Sequence, residues 1–214
     1  MTTNRDSVGE IHAYNLDVKN REIYINEFDD SGESAGVDHR MLQNFIKNIN
    51  ILKNLSKDPI TIHMQTVGGC WYSGMGIYDA IKSCKCKTTF IGYGQLCSMG
   101  TVIIQAATRR LITDNSAFMV HWGTSEISGY YLSSQNLADF EKYTAQQMVE
   151  IYAERCQKTG EYFKERQNNL SKTKAYIKRK LGGGDWYMTA DEAVNYLSLI
   201  NHCRRRSTTL SSTE

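Results

Sequence analysis

Apolar residues recur along the chain at two different spacings, and each spacing predicts its own kind of element. Met41, Leu42, Phe45, Ile46, Ile49 and Leu52 fall three and four apart, marking one face of a helix that Asp38 stands ready to cap. Shorter runs rich in β-branched and aromatic residues mark strands: Arg21 to Glu27, Ile60-Thr61-Ile62-His63-Met64 after Pro59, and Thr88 to Tyr93. Gly68-Gly69 follows the second strand and leads to a helix around Met75, Ile77, Tyr78 and Ile81. After the third, Gly94-Gln95-Leu96-Cys97-Ser98-Met99-Gly100-Thr101 reads as a polar turn into a buried helix over Val102 to Ala107. Arg110 to Thr113 and Ala117 to Val120 then flank a turn at Asp114-Asn115-Ser116. Strands alternating with helices predict an α/β fold, with functional groups gathered at the strand-to-helix turns.

The second half is more helical. Ser134 to Thr159 reads as a long, partly buried helix that Gly160 stops, and a basic, helix-prone segment runs on to Leu181. Gly182-Gly183-Gly184 delivers Asp185 ahead of two aromatics, and Thr189 with Glu192 fits a capping box for a last helix. The predicted organisation is a polar, mobile segment over 1–20, one domain over 21–200 and a polar tail over 201–214.

Composition narrows the picture by exclusion. With 214 residues, 41% of them hydrophobic, the chain can bury a full core. The net charge is only +2, and the basic residues cluster at Lys172 to Lys180 and Arg204 to Arg206 without forming a stripe, so nothing calls for nucleic acid. The six cysteines form no Cys-x-x-Cys pair and read as reduced thiols, with no metal or cofactor implied. The first residues, Met1 to Ser7, lack the apolar stretch of a signal peptide, and no run approaches the ~20 apolar residues of a membrane span. The expected location is cytoplasmic. Gly69 is followed by Cys70-Trp71-Tyr72 with no phosphate-loop lysine, which argues against nucleotide binding.

Four features carry candidate chemistry, and each has a purely structural alternative. Ser98 is a helix cap or a nucleophile near the positive end of a helix. Gly68-Gly69 is a tight turn or a close-approach site whose N–H groups serve an oxyanion. His121, at the end of a strand beside Trp122, is a packed core residue or a base, and Asp185 is a turn residue or the group that orients that base.

Taken together and in order, Gly68-Gly69, Ile77-Tyr78-Asp79, Gly94-Gln95-x-x-Ser98-Met99-Gly100, Val120-His121 and Asp185-x-x-Met188-Thr189-Ala190-Asp191-Glu192-Ala193-Val194 resemble the ClpP family, the proteolytic subunits of ATP-dependent proteases. The resemblance implies a ClpP/crotonase-like spiral of repeated ββα units, with Ser134 to Thr159 as the long handle helix. It implies a serine endopeptidase acting on unfolded or short peptides, with Ser98 as nucleophile, His121 as base, Asp185 orienting the base, and the N–H groups of Gly69 and Met99 as the oxyanion hole. It further implies rings of seven subunits stacked in pairs through the handles, with an AAA+ unfoldase as partner. The family usually carries Ser-Pro-Gly-Gly where this chain has Thr66-Val67-Gly68-Gly69, and His-Gln-Pro where it has His121-Trp122-Gly123; both changes flank the peptide groove. Cys97 is a rival nucleophile by composition, but the resemblance places that role at Ser98 and leaves Cys97 to packing. A ClpP-like scaffold without activity and a crotonase-type acyl-CoA enzyme are the alternative functions.

Overall fold

A computed structural model describes residues 4–25, 36–125, 127, 129–159, 161–166, 169–197 and 199–201. A helix, α1 (Asn4–Tyr14), and a two-residue strand, β1 (Leu16–Asp17), occupy a stretch whose polar pattern announced neither. Strand β2 (Glu22–Ile25) follows; the predicted members Asn26 and Glu27, like the loop over 31–35, lie outside the described residues. Helix α2 (His39–Leu55) starts where Asp38 accepts a hydrogen bond from the Met41 N–H at 2.8 Å, and it buries Phe45, Ile49 and Leu52. Strand β3 (Ile60–Thr66) alternates as its sequence does, with Ile60, Ile62 and Met64 in the core and His63 on the opposite face, stacked between Tyr24 and Tyr93. Helix α3 (Trp71–Ser83) completes the first βα unit.

The next element departs from its prediction. Strand β4 runs from Thr88 through Cys97, so Gly94 to Cys97 are strand, not turn. Gly94, at φ 53°, bends the chain without ending it. Before the bend β4 pairs with β5 (Arg109–Ile112); beyond it, Gln95, Leu96 and Cys97 pair with Ala117, Phe118 and Met119 of β6 (Ala117–Val120). Between these strands the predicted buried helix is present but short, as α4 (Met99–Ile103) and a 3-10 turn over Ile104–Ala106.

Helix α5 (Tyr131–Thr159) begins three residues earlier than predicted, and its expected stop, Gly160, lies outside the described residues. Helices α6 (Glu161–Glu165) and α7 (Leu170–Leu181) follow, then β7 (Trp186–Met188), α8 (Ala190–Leu197) and β8 (Ile200–Asn201). The capping box of α8 is formed: the Thr189 N–H donates to Glu192 Oε2 at 2.9 Å and the Glu192 N–H donates to Thr189 Oγ1 at 3.3 Å. Of the predicted tail, Asn201 belongs to β8 and the rest lies outside the described residues.

The sheet forks at β4. One branch runs β1-β2-β3-β4-β5-β8, parallel except for β1, and the other leaves β4 through β6 to β7, which is antiparallel to β6. A continuous apolar core joins Ile23, Ile62 and Phe90 to Phe118, Tyr152 and Ile177 and draws in side chains of α2, α3, α5 and α7. Among the described residues no helix is long and apolar enough to cross a membrane.

Candidate active site

Ser98 stands where β4 ends and α4 begins, with φ 49° and ψ −121°, a conformation that costs a non-glycine residue strain. Its backbone is tied down on both sides. The Ser98 N–H donates to the Met119 carbonyl at 2.8 Å, and the Ser98 carbonyl accepts from both the Thr101 N–H, at 2.9 Å, and the Thr101 hydroxyl. The Thr101 hydroxyl is in turn bonded to the buried Tyr152 hydroxyl, so the turn is anchored to α5. The Ser98 hydroxyl makes no cap bond to α4. It lies 2.7 Å from His121 Nε2. Adjacent Cys97 is buried and packs inward.

Gly68 explains how the first turn serves this geometry. At φ 113°, it lies so close to Ser98 that a Cβ there would collide with the Ser98 Cβ and stand 2.9 Å from its Oγ. Gly69 bridges Val37 in parallel fashion: the Val37 N–H donates to the Gly68 carbonyl and the Cys70 N–H to the Val37 carbonyl. In that pattern the bridging residue's own N–H points away from its partner strand. Met99 is the first residue of α4, where backbone N–H groups have no carbonyl within the helix to bond. Both residues line the same cleft as Ser98.

His121 and Asp185 are brought together by register. Strand β6 pairs with β7 as Phe118 to Met188, Met119 to Tyr187 and Val120 to Trp186, so the next positions outward are His121 and Asp185. The Asp185 carboxylate lies 3.5 Å from His121 Nδ1, the two side chains being 52% and 23% exposed. That separation is longer than a tight N–H···O bond.

The cleft encloses about 620 Å³ and is walled by Val67 to Tyr72, Ser98, Met99, Val102, the Trp122 to Ser125 segment and one face of α5. Of the groove-flanking positions where the sequence departs from the ClpP pattern, Thr66 is fully buried, whereas Val67, Trp122 and Gly123 line it. Cys70 does as well. Burial raises the pKa of this thiol, but hydrogen bonds from Ser73 and the Tyr72 amide at the start of α3 outweigh that and hold it below the ordinary thiol value. The α5 face contributes Met148, an apolar position of the long helix, and Glu141, Thr144 and Ala145, which the sequence pattern did not single out. Their spacing of three, four and seven was the available signal. Among the described residues no cluster of His, Cys, Asp or Glu is arranged to hold a metal ion.

Comparison with known proteins agrees with this architecture. The Clp protease family model matches residues 33–204. ATP-dependent Clp protease proteolytic subunit 2 of Pseudomonas aeruginosa is 28% identical over 203 residues, covering 92% of this chain and 88% of its own length. ATP-dependent Clp protease proteolytic subunit 1 of Leifsonia xyli is 26% identical over 151 residues, covering 70% of this chain and 68% of its own. A ClpP1 mutant from Listeria monocytogenes superposes with a TM-score of 0.67 at 20% identity, covering 85% of this chain and 90% of that one, which establishes a shared fold.

Proposed function

Because the chain belongs to the Clp protease family, we propose that it is a serine endopeptidase in which Ser98 attacks the scissile carbonyl. His121 Nε2 takes the hydroxyl proton and returns it to the leaving amine, while Asp185 at Nδ1 holds the tautomer and stabilises the imidazolium. The N–H groups of Gly69 and Met99 receive the oxyanion, each donor contributing about 3–4 kcal/mol in well-characterised cases. The observation that carries this reading is the 2.7 Å approach of the Ser98 hydroxyl to His121 Nε2, with Asp185 on the far side of the same ring.

Unfolded or short peptides are the substrates under this reading, and the active unit is a ring of seven subunits stacked in pairs through α5 and served by an AAA+ unfoldase. Exposed Tyr131, Leu132, Leu137, Phe140 and Tyr143 along α5 support an assembly role for that helix. A fluorophosphonate probe tests the chemistry: labelling of the wild-type protein should vanish in Ser98→Ala and weaken greatly in His121→Ala. Folded wild-type protein that takes no label refutes it. Light scattering on a sizing column tests the ring, which a monomer would rule out.

A further inference from the structure

Resting on the reading of the cleft as a peptide-cleaving site, we infer that it selects a cationic side chain, lysine or arginine, in the bound peptide, with Glu141 as its receptor. Glu141 is the one carboxylate among the described residues that line the cleft, and no lysine or arginine lines it. The carboxylate is held in place across the cleft. Its Oε2 accepts a hydrogen bond from the Ser125 hydroxyl at 2.7 Å, which fixes the α5 wall to the segment that follows His121. A carboxylate has about four acceptor sites, so this bond leaves capacity for an ammonium or guanidinium group.

The aromatic lining points to the same ligand independently. Trp71, Tyr72 and Trp122 border the cleft, with Tyr72 61% and Trp122 44% exposed, and a cation over such ring faces is attracted by their negative quadrupole. Val67, 46% exposed, offers apolar surface for the aliphatic stem of a lysine or arginine. The neighbouring cation Lys142 is engaged outside the cleft, donating to Asp139 at 2.8 Å. An unbalanced negative charge between apolar walls focuses its field into the cleft and favours a positive side chain there.

The test uses the full-length Ser98→Ala protein and two fluorescein-labelled nonapeptides differing only by lysine or norleucine at one position scanned along the peptide. Fluorescence anisotropy in about 0.1 M salt should show the lysine peptide binding about tenfold more tightly at one position, the size expected of a charge-assisted hydrogen bond. Adding Glu141→Gln should equalise the two peptides, and Glu141→Lys should reverse their order, with unchanged thermal melts certifying the fold. Equal affinity for the two peptides at every position, or a lysine preference that survives Glu141→Gln, overturns the inference. If wild-type Ser98 takes the fluorophosphonate while the preference is absent, the inference alone fails. A lysine preference lost with Glu141, in a protein that takes no label, supports the cation site and refutes the hydrolase.

Discussion

Gly68→Ala isolates the contact that sets the position of the Ser98 hydroxyl. An alanine Cβ at this position collides with the Ser98 Cβ and stands 2.9 Å from Oγ. Restoring an ordinary separation of about 3.5–4.0 Å between the carbons requires a displacement of about 1 Å. Two costs add. Placing a side chain at φ 113° costs about 1–2 kcal/mol, and overpacking a site with no room costs about 1–3 kcal/mol more. For a chain of this length the sum lowers Tm by at least about 4 °C. On the reading of Ser98 as nucleophile and His121 as its base, the kinetic consequence is larger, because a misplacement of about 1 Å costs about 10²-fold in rate. The assay is the second-order rate of fluorophosphonate labelling, read beside a thermal melt. Gly129→Ala is the control: its φ of 140° carries the same kind of backbone penalty, but the nearest atom to its added Cβ is 3.8 Å away. It should label within about twofold of wild type while losing only the strain energy. Labelling of Gly68→Ala within threefold of wild type would refute the argument that Gly68 is required for Ser98 to reach His121.

Three further outcomes are expected. Iodoacetamide should alkylate Cys70 ahead of Cys97 and Cys156, because Cys70 is exposed with a lowered pKa whereas burial pushes the Cys156 thiol up to about 12; peptide mass mapping that finds Cys97 or Cys156 modified first contradicts this. Stability should fall as pH rises from about 9 towards 12, since Cys156 and Tyr152 have raised pKa values in the fold and stay protonated there while their unfolded counterparts ionise; a Tm constant from pH 8 to 11 would contradict it. Thr189→Ala should remove one side of the α8 capping box and cost about 1 kcal/mol, about 2–4 °C in Tm, whereas Glu192→Gln, which keeps an acceptor for the Thr189 N–H, should cost less; equal melts for both variants and wild type would show the box to be inert.

Elements specified by local chemistry were the legible ones. Asp38 and the three-and-four spacing behind it define α2, and Thr189 with Glu192 defines the start of α8, because caps and amphipathic faces act within a few residues. The extension of β4 was hidden: Gly94 and Gln95 look like turn chemistry, and only pairing with β6 makes the stretch a strand. Strand β7 was hidden for the same reason, being three residues after a glycine run with no periodicity of its own. Ser98 could be singled out as a residue at a helix start, but a cap and a nucleophile share that position. What distinguishes them is where the hydroxyl points, which depends on a backbone conformation and a histidine 23 residues away. Glu141 lay on a mostly polar helix, and its place in the cleft depends on long-range packing that sets it against Ser125, 16 residues earlier in the chain.

The short ladder between β6 and β7 has an evolutionary corollary. His121 and Asp185 are 64 positions apart in the chain, yet only three residue pairs set their separation. The excursion between them, containing α5, α6 and α7, is a detachable loop as far as the two ring-facing groups are concerned. Doubling its length would add only about 0.6 kcal/mol to the entropy of closing it. The histidine–carboxylate pair is therefore insulated from drift in the helices that carry the exposed aromatic face. Lineages of this fold are free to remodel those helices without shifting the register that sets His121 against Asp185.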